Sequence, residues 1–435
     1  MAQEQVLTEG AGLTTRAAVR KPGISDRIFG GDRALWIVIV ILMVISIPVI
    51  LSSTMALALR SADGDIFHFL TRQVAFLLLS FFVIWVVHRI DYQWYGRWSH
   101  ILLYVSVALV LAAYFFGVNL NDANRWLEVP LIGLTFQPSD LLKVALIMVL
   151  ARELSQRQAT IRKTPLIPVV PLFHARFSEK RKKQNRRIWR ETTVPLLWPV
   201  GLSCFVIFLS GFSTAVLTYV TCLVMLYIGR VRVGELWRFF RMTFVAVAVI
   251  VVVMYQFDIG RSGTWKSRID TFIGLNDSPD DDLQITEARI AVAKGGVTGT
   301  GPGLSTQRAK LPHSYSDFAY AFIIEEYGLV GGIVILALYL WLFFRAIVIF
   351  DKCERLYPSL LVLGLGLLIV LQAFTNIMVS VGLLPVTGQT LPLISLGGSS
   401  MVFTSLALGM ILGVSRQMQE KTLGTVREDG AKQAG

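Results

Sequence analysis

Charged residues are scarce in this chain of 435 residues: only 16% are Asp, Glu, Lys or Arg, whereas 54% are hydrophobic. Soluble globular domains carry about 25% charged residues, so this composition excludes an ordinary soluble fold. The mean hydropathy of +0.61 is typical of proteins whose helices face lipid. The sequence therefore predicts an integral membrane protein.

Cysteine and histidine are also rare, with three Cys and five His in the whole chain. Cys204, Cys222 and Cys353 show no Cys-x-x-Cys spacing, and the histidines form no cluster along the sequence. These absences argue against a disulfide framework and against a zinc site.

Acidic residues are fewer than basic ones, 29 against 41, which gives a net charge of +12. Nucleic-acid binding requires such charge on a folded surface. Here the Lys and Arg residues lie between apolar runs, and the densest group occupies the loop 155–194. Cytoplasmic loops of membrane proteins carry this kind of excess. We therefore expect no nucleic-acid partner and place the loop 155–194 in the cytoplasm.

Apolar runs recur along the chain, and a helix needs roughly 20 such residues to cross the hydrocarbon of a bilayer. The predicted spans are 34–53, 67–87, 101–118, 139–154, 195–210, 212–229, 242–257, 318–350, 358–384 and 398–415. This pattern predicts an all-α, polytopic bundle of about ten transmembrane helices. The first run is longer than the core of a signal peptide, so we expect it to be retained.

Two boundaries are ambiguous at this stage. The region 195–229 is interrupted at Ser210-Gly211, so it forms either two spans or one long tilted span. A single span would reverse the orientation of everything downstream. The run 318–350 exceeds one span, and its start is expected to extend from the membrane surface.

Ten spans with both termini in the cytoplasm place the loops 119–138 and 258–317 outside. The second is a large extracytoplasmic loop between helices 7 and 8, and loops of such length are typically functional. The membrane domain is 34–415. The tails 1–33 and 416–435 contain few large apolar residues, which predicts disorder.

The loop 258–317 ends in two features of chemical interest. Its glycine-rich run, Gly295 to Gly303, has backbone N–H groups that can approach a phosphate, but it lacks the surroundings of a nucleotide-binding motif. A flexible surface loop is the alternative. Asp317 stands directly before the apolar run, where a carboxylate is suited to accept a proton. The alternative role for Asp317 is that of a helix N-cap.

Ionisable residues also enter the apolar runs themselves. Asp140 and Lys143 lie three residues apart, so they share one helix face and can interact. Glu325 and Glu326 are predicted to face the bundle interior, in either polar packing or catalysis. An acidic turn at Asp280 to Asp282 matches no calcium-loop spacing and is interpreted as solvated.

Several strings resemble the SEDS family of FtsW, RodA and SpoVE, over about residues 34–415. The matching segments, in the family order, are Arg125-Trp126, Gln137 to Asp140, Lys143, Gln284 to Gly296, Gly301 to Phe318, Asn376, Gly382 to Gly388, Leu391-Pro392 and Ser395 to Ser400. Members of that family polymerise lipid-linked peptidoglycan precursors. The position of the family's catalytic aspartate corresponds to Asp317.

This resemblance implies an inverting glycosyl transfer that polymerises lipid II at the outer face of the bacterial cytoplasmic membrane, with Asp317 as the general base. The implied substrate-binding residues are Arg125, Asp140, Lys143, Arg289, Lys294, Ser305, Gln307, Arg308 and Lys310. The implied partners are a class B penicillin-binding protein and other division proteins. A divalent cation, Mg²⁺ or Mn²⁺, is an open expectation without a ligand motif, and no organic cofactor is expected.

The chain departs from the family pattern at several positions. Ser210 to Thr214 stands where the family often has an acidic Pro-Asp-x-Gly-Thr string. Asp140 replaces the usual glutamate and shortens its reach by one methylene. His313 and Tyr315 replace the commoner Glu and His, and Ala288 occupies a serine position.

Two other functions fit the same sequence. A lipid II flippase would use the bundle as a polar path for a headgroup, and a non-catalytic scaffold would use the basic loop and tails. Within the polymerase hypothesis, the long N-terminal tail and enlarged basic loop resemble FtsW, at the division septum, more than the compact RodA of elongation.

Overall fold

In this computed structural model the described residues are 29–60, 66–120, 123–129, 134–161, 183, 186–256, 279–306, 317–395 and 397–434. Parts of the predicted loops 155–194 and 258–317, and the N-terminal tail up to residue 28, lie outside these ranges.

Eleven α-helices make up most of the described part of the chain. They are α1 (Arg33–Arg60), α2 (Ile66–Val87), α3 (Tyr92–Phe116), α4 (Pro138–Ile161), α5 (Val194–Ser210), α6 (Phe212–Ile228), α7 (Val233–Gln256), α8 (Pro279–Gly295), α9 (Ala319–Lys352), α10 (Leu356–Ser380) and α11 (Ser399–Ala434). A short π-helix, Trp189–Thr193, leads into α5.

Eight of the described helices have the length and apolarity needed to cross a membrane: α1, α2, α3, α5 with the residues that precede it from Arg186, α7, α9, α10 and α11. Helix α6 is a shorter apolar helix of 17 residues. Helix α4 carries charges near both ends, yet its middle is enclosed by the bundle, because every residue from Leu142 to Ala151 is buried. Each predicted span coincides with one of these helices. The protein is a polytopic α-helical membrane protein, as predicted.

Helices α5 and α6 form an antiparallel hairpin, which resolves the ambiguity over one span or two. Arg157 on α4 donates from Nε to a backbone carbonyl of the π-helix before α5, at 2.8 Å. Helix α6 ends beside the same region of α4, since a Cβ on Gly229 would lie 2.8 Å from Leu154. The break at Gly211 lies at the other end, where a Cβ would lie 3.8 Å from Arg125 Nη1.

Helix α9 is divided by a break at Gly328, whose φ of 68° and ψ of −174° are not helical. The segment before the break, Ala319 to Glu326, is buried throughout and packs against α8 and α10. The expectation that this start extends from the membrane surface stays a prediction, and the break at Gly328 separates it from the rest of α9. The surplus length forms a separate buried segment because a glycine ends it.

A small antiparallel sheet joins α3 to α4 and was not predicted. Its strands are β1 (Val118–Leu120), β2 (Ala123–Val129) and β3 (Leu134–Phe136), in the order β1-β2-β3. Leu127 pairs with Phe136. The sheet lies in the predicted outer segment 119–138 and holds Arg125 beside the turn between α5 and α6.

Helix α11 continues through the tail that was predicted to be disordered. Beyond residue 415 it is stabilised by an ion pair between Arg416 and Glu420, at 3.1 Å and one turn apart. Gln417 donates to the carbonyl of Ile90 in the α2–α3 turn, at 3.1 Å. The prediction of disorder from residue 416 was wrong for the described residues, since this contact and pairing extend an already formed helix.

Candidate functional site

Asp317 lies immediately before α9, and its backbone is held from the side by α10. Asn376 donates from Nδ2 to the Asp317 carbonyl oxygen at 2.8 Å. Phe318, with φ −112° and ψ 22°, occupies the N-cap position of α9, so Asp317 precedes it. The N-cap interpretation of Asp317 is therefore wrong. Asp317 is half-buried, which leaves it within reach of a molecule at this end of the bundle.

The α10–α11 loop, residues 381–398, passes beside the Asp317 carboxylate. Gly388 has φ +64°, and a Cβ there would lie 3.5 Å from Asp317 Oδ2. A side chain at this position would therefore be strained and would contact the carboxylate. A glycine is therefore required at Gly388, the last position of the string that begins at Gly382, because it lets the backbone pass close to the candidate base.

Side chains from α6 and α10 hold this loop in place. Asn376 Nδ2 donates to the carbonyl of Gln389 at 2.7 Å, and Gln389 donates in turn to Thr214 Oγ1 at 2.6 Å. Ser213 donates to the carbonyl of Thr387 at 2.9 Å. Ser213 and Thr214 stand where the family often has an acidic string, and here they support the α10–α11 loop.

The predicted pair of Asp140 and Lys143 forms, and it lies deeper in the bundle than Asp317. Lys143 Nζ is 2.8 Å from Asp140 Oδ1, and both side chains are buried. Lys143 also donates to Gln372 at 3.3 Å, and Gln372 donates to the carbonyl of Thr390 at 3.1 Å. Gln372 precedes Asn376 by one helical turn, so the pair lies roughly 6 Å below the Asp317 backbone contact along α10.

The basic residues Arg125, Arg289 and Lys294 lie around the same end of the bundle. Arg289 is exposed on α8 and crosses the start of the α10–α11 loop, since a Cβ on Gly382 would lie 2.6 Å from Arg289 Nε. Lys294 is exposed at the end of α8 and donates to Thr306 Oγ1 at 2.8 Å. Side chains of this kind bind anionic headgroups through charge-assisted hydrogen bonds.

Ser305 faces inward. It is buried and donates from Oγ to the carboxylate of Glu325. Glu325 and Glu326 are both buried, as predicted. In this structure the Ser305 hydroxyl anchors the loop to α9, and its role as a substrate contact stays a prediction.

The middle of the glycine-rich run is not an open phosphate cradle, because the N–H groups of Gly299, Thr300 and Gly301 are occupied. The N–H of Gly299 donates to Gly295 at 2.8 Å, and that of Thr300 donates to the Glu325 carbonyl at 2.9 Å. The N–H of Gly301 donates to the Glu326 carbonyl at 3.0 Å. The backbone of this run packs directly against the backbone of α9.

The predicted substrate-binding residues Gln307, Arg308 and Lys310 lie outside the described residues, as do His313 and Tyr315. Within the ranges that the structure describes, no three side chains of the types His, Cys, Asp and Glu converge as metal ligands. The divalent cation stays a prediction without an assigned ligand set.

Three polar residues of the site were not selected as functional from the sequence. Gln372 and Asn376 lie four residues apart within an apolar run, which places both on one helix face. Gln389 follows the loop that they hold. The spacing of two polar side chains inside a span was the available signal.

Comparison with known proteins supports the family assignment. A family model described as "Cell cycle protein", for FtsW, RodA and SpoVE, matches residues 32–420. The probable peptidoglycan glycosyltransferase FtsW of Halomonas elongata is 30% identical over 93% of this chain and 96% of its own length. Stage V sporulation protein E of Bacillus subtilis is 29% identical over 88% of this chain and 97% of its own.

Solved structures show the same fold. A structure described as "Structural coordination of polymerization and crosslinking by a peptidoglycan synthase complex" aligns with a TM-score of 0.63 at 22% identity, covering 89% of this chain and 98% of that chain. The rod shape determining protein RodA of Thermus thermophilus aligns with a TM-score of 0.56 at 21% identity, covering 89% and 97%. The chain belongs to the FtsW, RodA and SpoVE family of cell cycle proteins.

Proposed function

We propose that this protein is a peptidoglycan glycosyltransferase that polymerises lipid II into glycan strands, with Asp317 as the general base. The observation that carries the proposal is the arrangement around Asp317. Its backbone is held by Asn376 at 2.8 Å, and its carboxylate adjoins the glycine backbone at Gly388. Relatives named probable peptidoglycan glycosyltransferase FtsW support the same activity.

The proposed chemistry is a single displacement at the anomeric carbon of the donor. A carboxylate oxygen of Asp317 takes the proton from the acceptor hydroxyl, whose oxygen then bonds to that carbon. The bond from carbon to pyrophosphate breaks, and the lipid pyrophosphate leaves with the electron pair. Because attack and departure occur on opposite faces, the configuration inverts.

The leaving pyrophosphate carries the largest negative charge in this step, so cations must stabilise it. Arg125, Arg289 and Lys294 are described cations at this end of the bundle, and we propose that they do so. Asp140 and Lys143 lie in a buried layer beneath, where their ion pair supports the α10–α11 loop through Gln372. We assign the pair to positioning of the site rather than to direct proton transfer.

The site is proposed to face the outside of the bacterial cytoplasmic membrane, with both termini in the cytoplasm and the protein at the division septum. The FtsW names of several relatives support the septal role over an elongation role. The basic segment around Arg186 and Arg190, at the opposite end of the bundle from Asp317, supports the orientation.

A class B penicillin-binding protein is the proposed partner, because polymerised strands need a separate crosslinking activity. The solved structure with a TM-score of 0.63 is described as a complex that coordinates polymerization and crosslinking. Affinity purification in mild detergent should recover such a transpeptidase, and repeated recovery of none would refute this partnership.

The activity is tested by polymerisation of purified lipid II, comparing the unmodified protein with Asp317→Asn. Loss of a general base typically lowers the rate about 10²–10⁴-fold, while the protein should remain folded. The matched control is Asp351→Asn, the same substitution at an exposed position on α9 far from the site. Polymerisation by Asp317→Asn at the unmodified rate would refute the role of Asp317. An unmodified protein that moves lipid II across vesicles without polymerising it would favour the flippase.

A further inference from the structure

Glu325 is a fully buried carboxylate in the first segment of α9. Its Oε2 accepts a hydrogen bond from Ser305 Oγ. Its Oε1 accepts from the N–H of Thr306 at 2.9 Å and from Thr306 Oγ1 at 3.2 Å. A buried carboxylate is stable only with such donors, so the loop that carries Ser305 and Thr306 is tied to α9.

The Thr306 hydroxyl connects this buried carboxylate to an exposed cation. A hydroxyl donates once and accepts through its lone pairs. The Thr306 hydroxyl donates to Glu325 and accepts from Lys294 Nζ at 2.8 Å. The carboxylate therefore sets the direction of the hydroxyl, and the hydroxyl sets the position of the ammonium.

The backbone beneath this chain of contacts is also held closely. Thr300 donates from both its N–H and its Oγ1 to the Glu325 carbonyl, each at 2.9 Å. A Cβ on Gly299 or on Gly328 would overlap backbone atoms of the facing segment. Lys294, Thr306 and Glu325 thus belong to one tightly packed unit.

Asp317 lies on the same unit, eight residues before Glu325 at the start of α9. We propose that Glu325 is a positioning residue, which acts through the Thr306 hydroxyl to orient Lys294 for binding the diphosphate of the lipid substrate. This assignment rests on the proposed function. It gives Lys294 a defined place relative to the candidate base, although its side chain is exposed.

Thr306→Val is the sharpest test, because it removes the hydroxyl and keeps the shape and the backbone N–H contact with Glu325. We expect it to raise the KM for lipid II and the Kd for undecaprenyl pyrophosphate in detergent, each about tenfold. Thr306→Ser restores the hydroxyl and should stay within about twofold of the unmodified protein. Thr300→Val removes a comparable hydroxyl without a link to Lys294. Its KM and Kd should also stay within about twofold of those of the unmodified protein.

A double variant separates action through Lys294 from a general loss of structure. In a Lys294→Met background, Thr306→Val should change the Kd by less than about twofold, since the group it orients is already absent. The inference is overturned if Thr306→Val binds undecaprenyl pyrophosphate normally or if Thr300→Val raises the Kd as much. It is also overturned if the increases in Kd caused by Thr306→Val and Lys294→Met multiply in the double variant.

The binding measurement keeps this inference distinct from the proposed function. An unmodified protein that binds undecaprenyl pyrophosphate but forms no polymer would refute the polymerase function alone. The Kd values would still decide whether the Thr306 hydroxyl, held by Glu325, orients Lys294. Normal polymerisation and equal Kd values for all variants would refute the inference alone.

Discussion

The side-chain amide of Asn376 donates to the backbone carbonyl of Asp317 across 2.8 Å. The same nitrogen donates to the carbonyl of Gln389 at 2.7 Å. One buried amide therefore sets the start of α9 against the α10–α11 loop. The position of the candidate base depends on α10 as much as on its own helix.

Asn376→Leu should destabilise the protein and lower polymerisation, because it leaves the buried Gln389 carbonyl and the half-buried Asp317 carbonyl without this donor. Each lost partner costs about 1–3 kcal/mol. Thr375→Val is the matched control, since its hydroxyl donates only one turn back, to Leu371 at 2.8 Å within α10. The thermal midpoint in detergent and the polymerisation rate are the measurements. Full activity in Asn376→Leu would show that Asp317 needs no support from α10.

Asp140→Asn should unfold at a clearly lower temperature, because it leaves the buried Lys143 ammonium without its carboxylate. Breaking a buried pair costs about 3–5 kcal/mol. The double variant Asp140→Asn with Lys143→Met should lose less than the sum of the single losses. We expect Asp140→Asn to reduce polymerisation less than Asp317→Asn does.

The exposed pair of Arg187 and Glu191, at 3.0 Å, offers a comparison for that buried pair. Glu191→Gln should leave the unfolding temperature unchanged, since solvent screens exposed ion pairs. Equal effects of Asp140→Asn and Glu191→Gln would contradict the burial argument.

Gly328→Ala should disrupt the contact between α9 and the loop before it. Gly328 has φ +68°, and a Cβ would overlap the carbonyl of Val297. Gly328 has ψ −174°, a backbone region that is essentially restricted to glycine, and strain there costs roughly 1–3 kcal/mol. Overpacking costs about 1–3 kcal/mol more. Gly201→Ala is the control, because nothing lies within 4 Å of its Cβ position. Protease resistance and the thermal midpoint should fall for Gly328→Ala alone, and an unchanged midpoint would refute the strain.

Single cysteines should report the orientation of the bundle in a variant whose native cysteines are replaced. Val297→Cys is exposed beside the α9 break at Gly328, whereas Arg186→Cys is exposed at the opposite end, before α5. A membrane-impermeant thiol reagent should label Val297→Cys in intact cells and spare Arg186→Cys until the membrane is permeabilised. The reverse pattern would invert the proposed topology.

Local patterns predicted the parts of the site that depend on neighbours along the chain. Asp140 and Lys143 pair because residues three apart share a helix face. Glu325 and Glu326 are buried because charged side chains in a span avoid lipid. The contact that Ser305 makes with Glu325 was not predicted, since this partner lies 20 residues away and a local motif does not indicate which way a loop residue faces.

The sequence by itself determined the spans and the family motifs, because helices in lipid must satisfy their own backbone groups and leave long apolar runs. Only the tertiary structure decided that α5 and α6 form a hairpin, that α9 breaks at Gly328 and that Asn376 holds Asp317. Those features depend on contacts between residues far apart in the chain. Their geometry follows from how buried polar groups find partners once the helices pack.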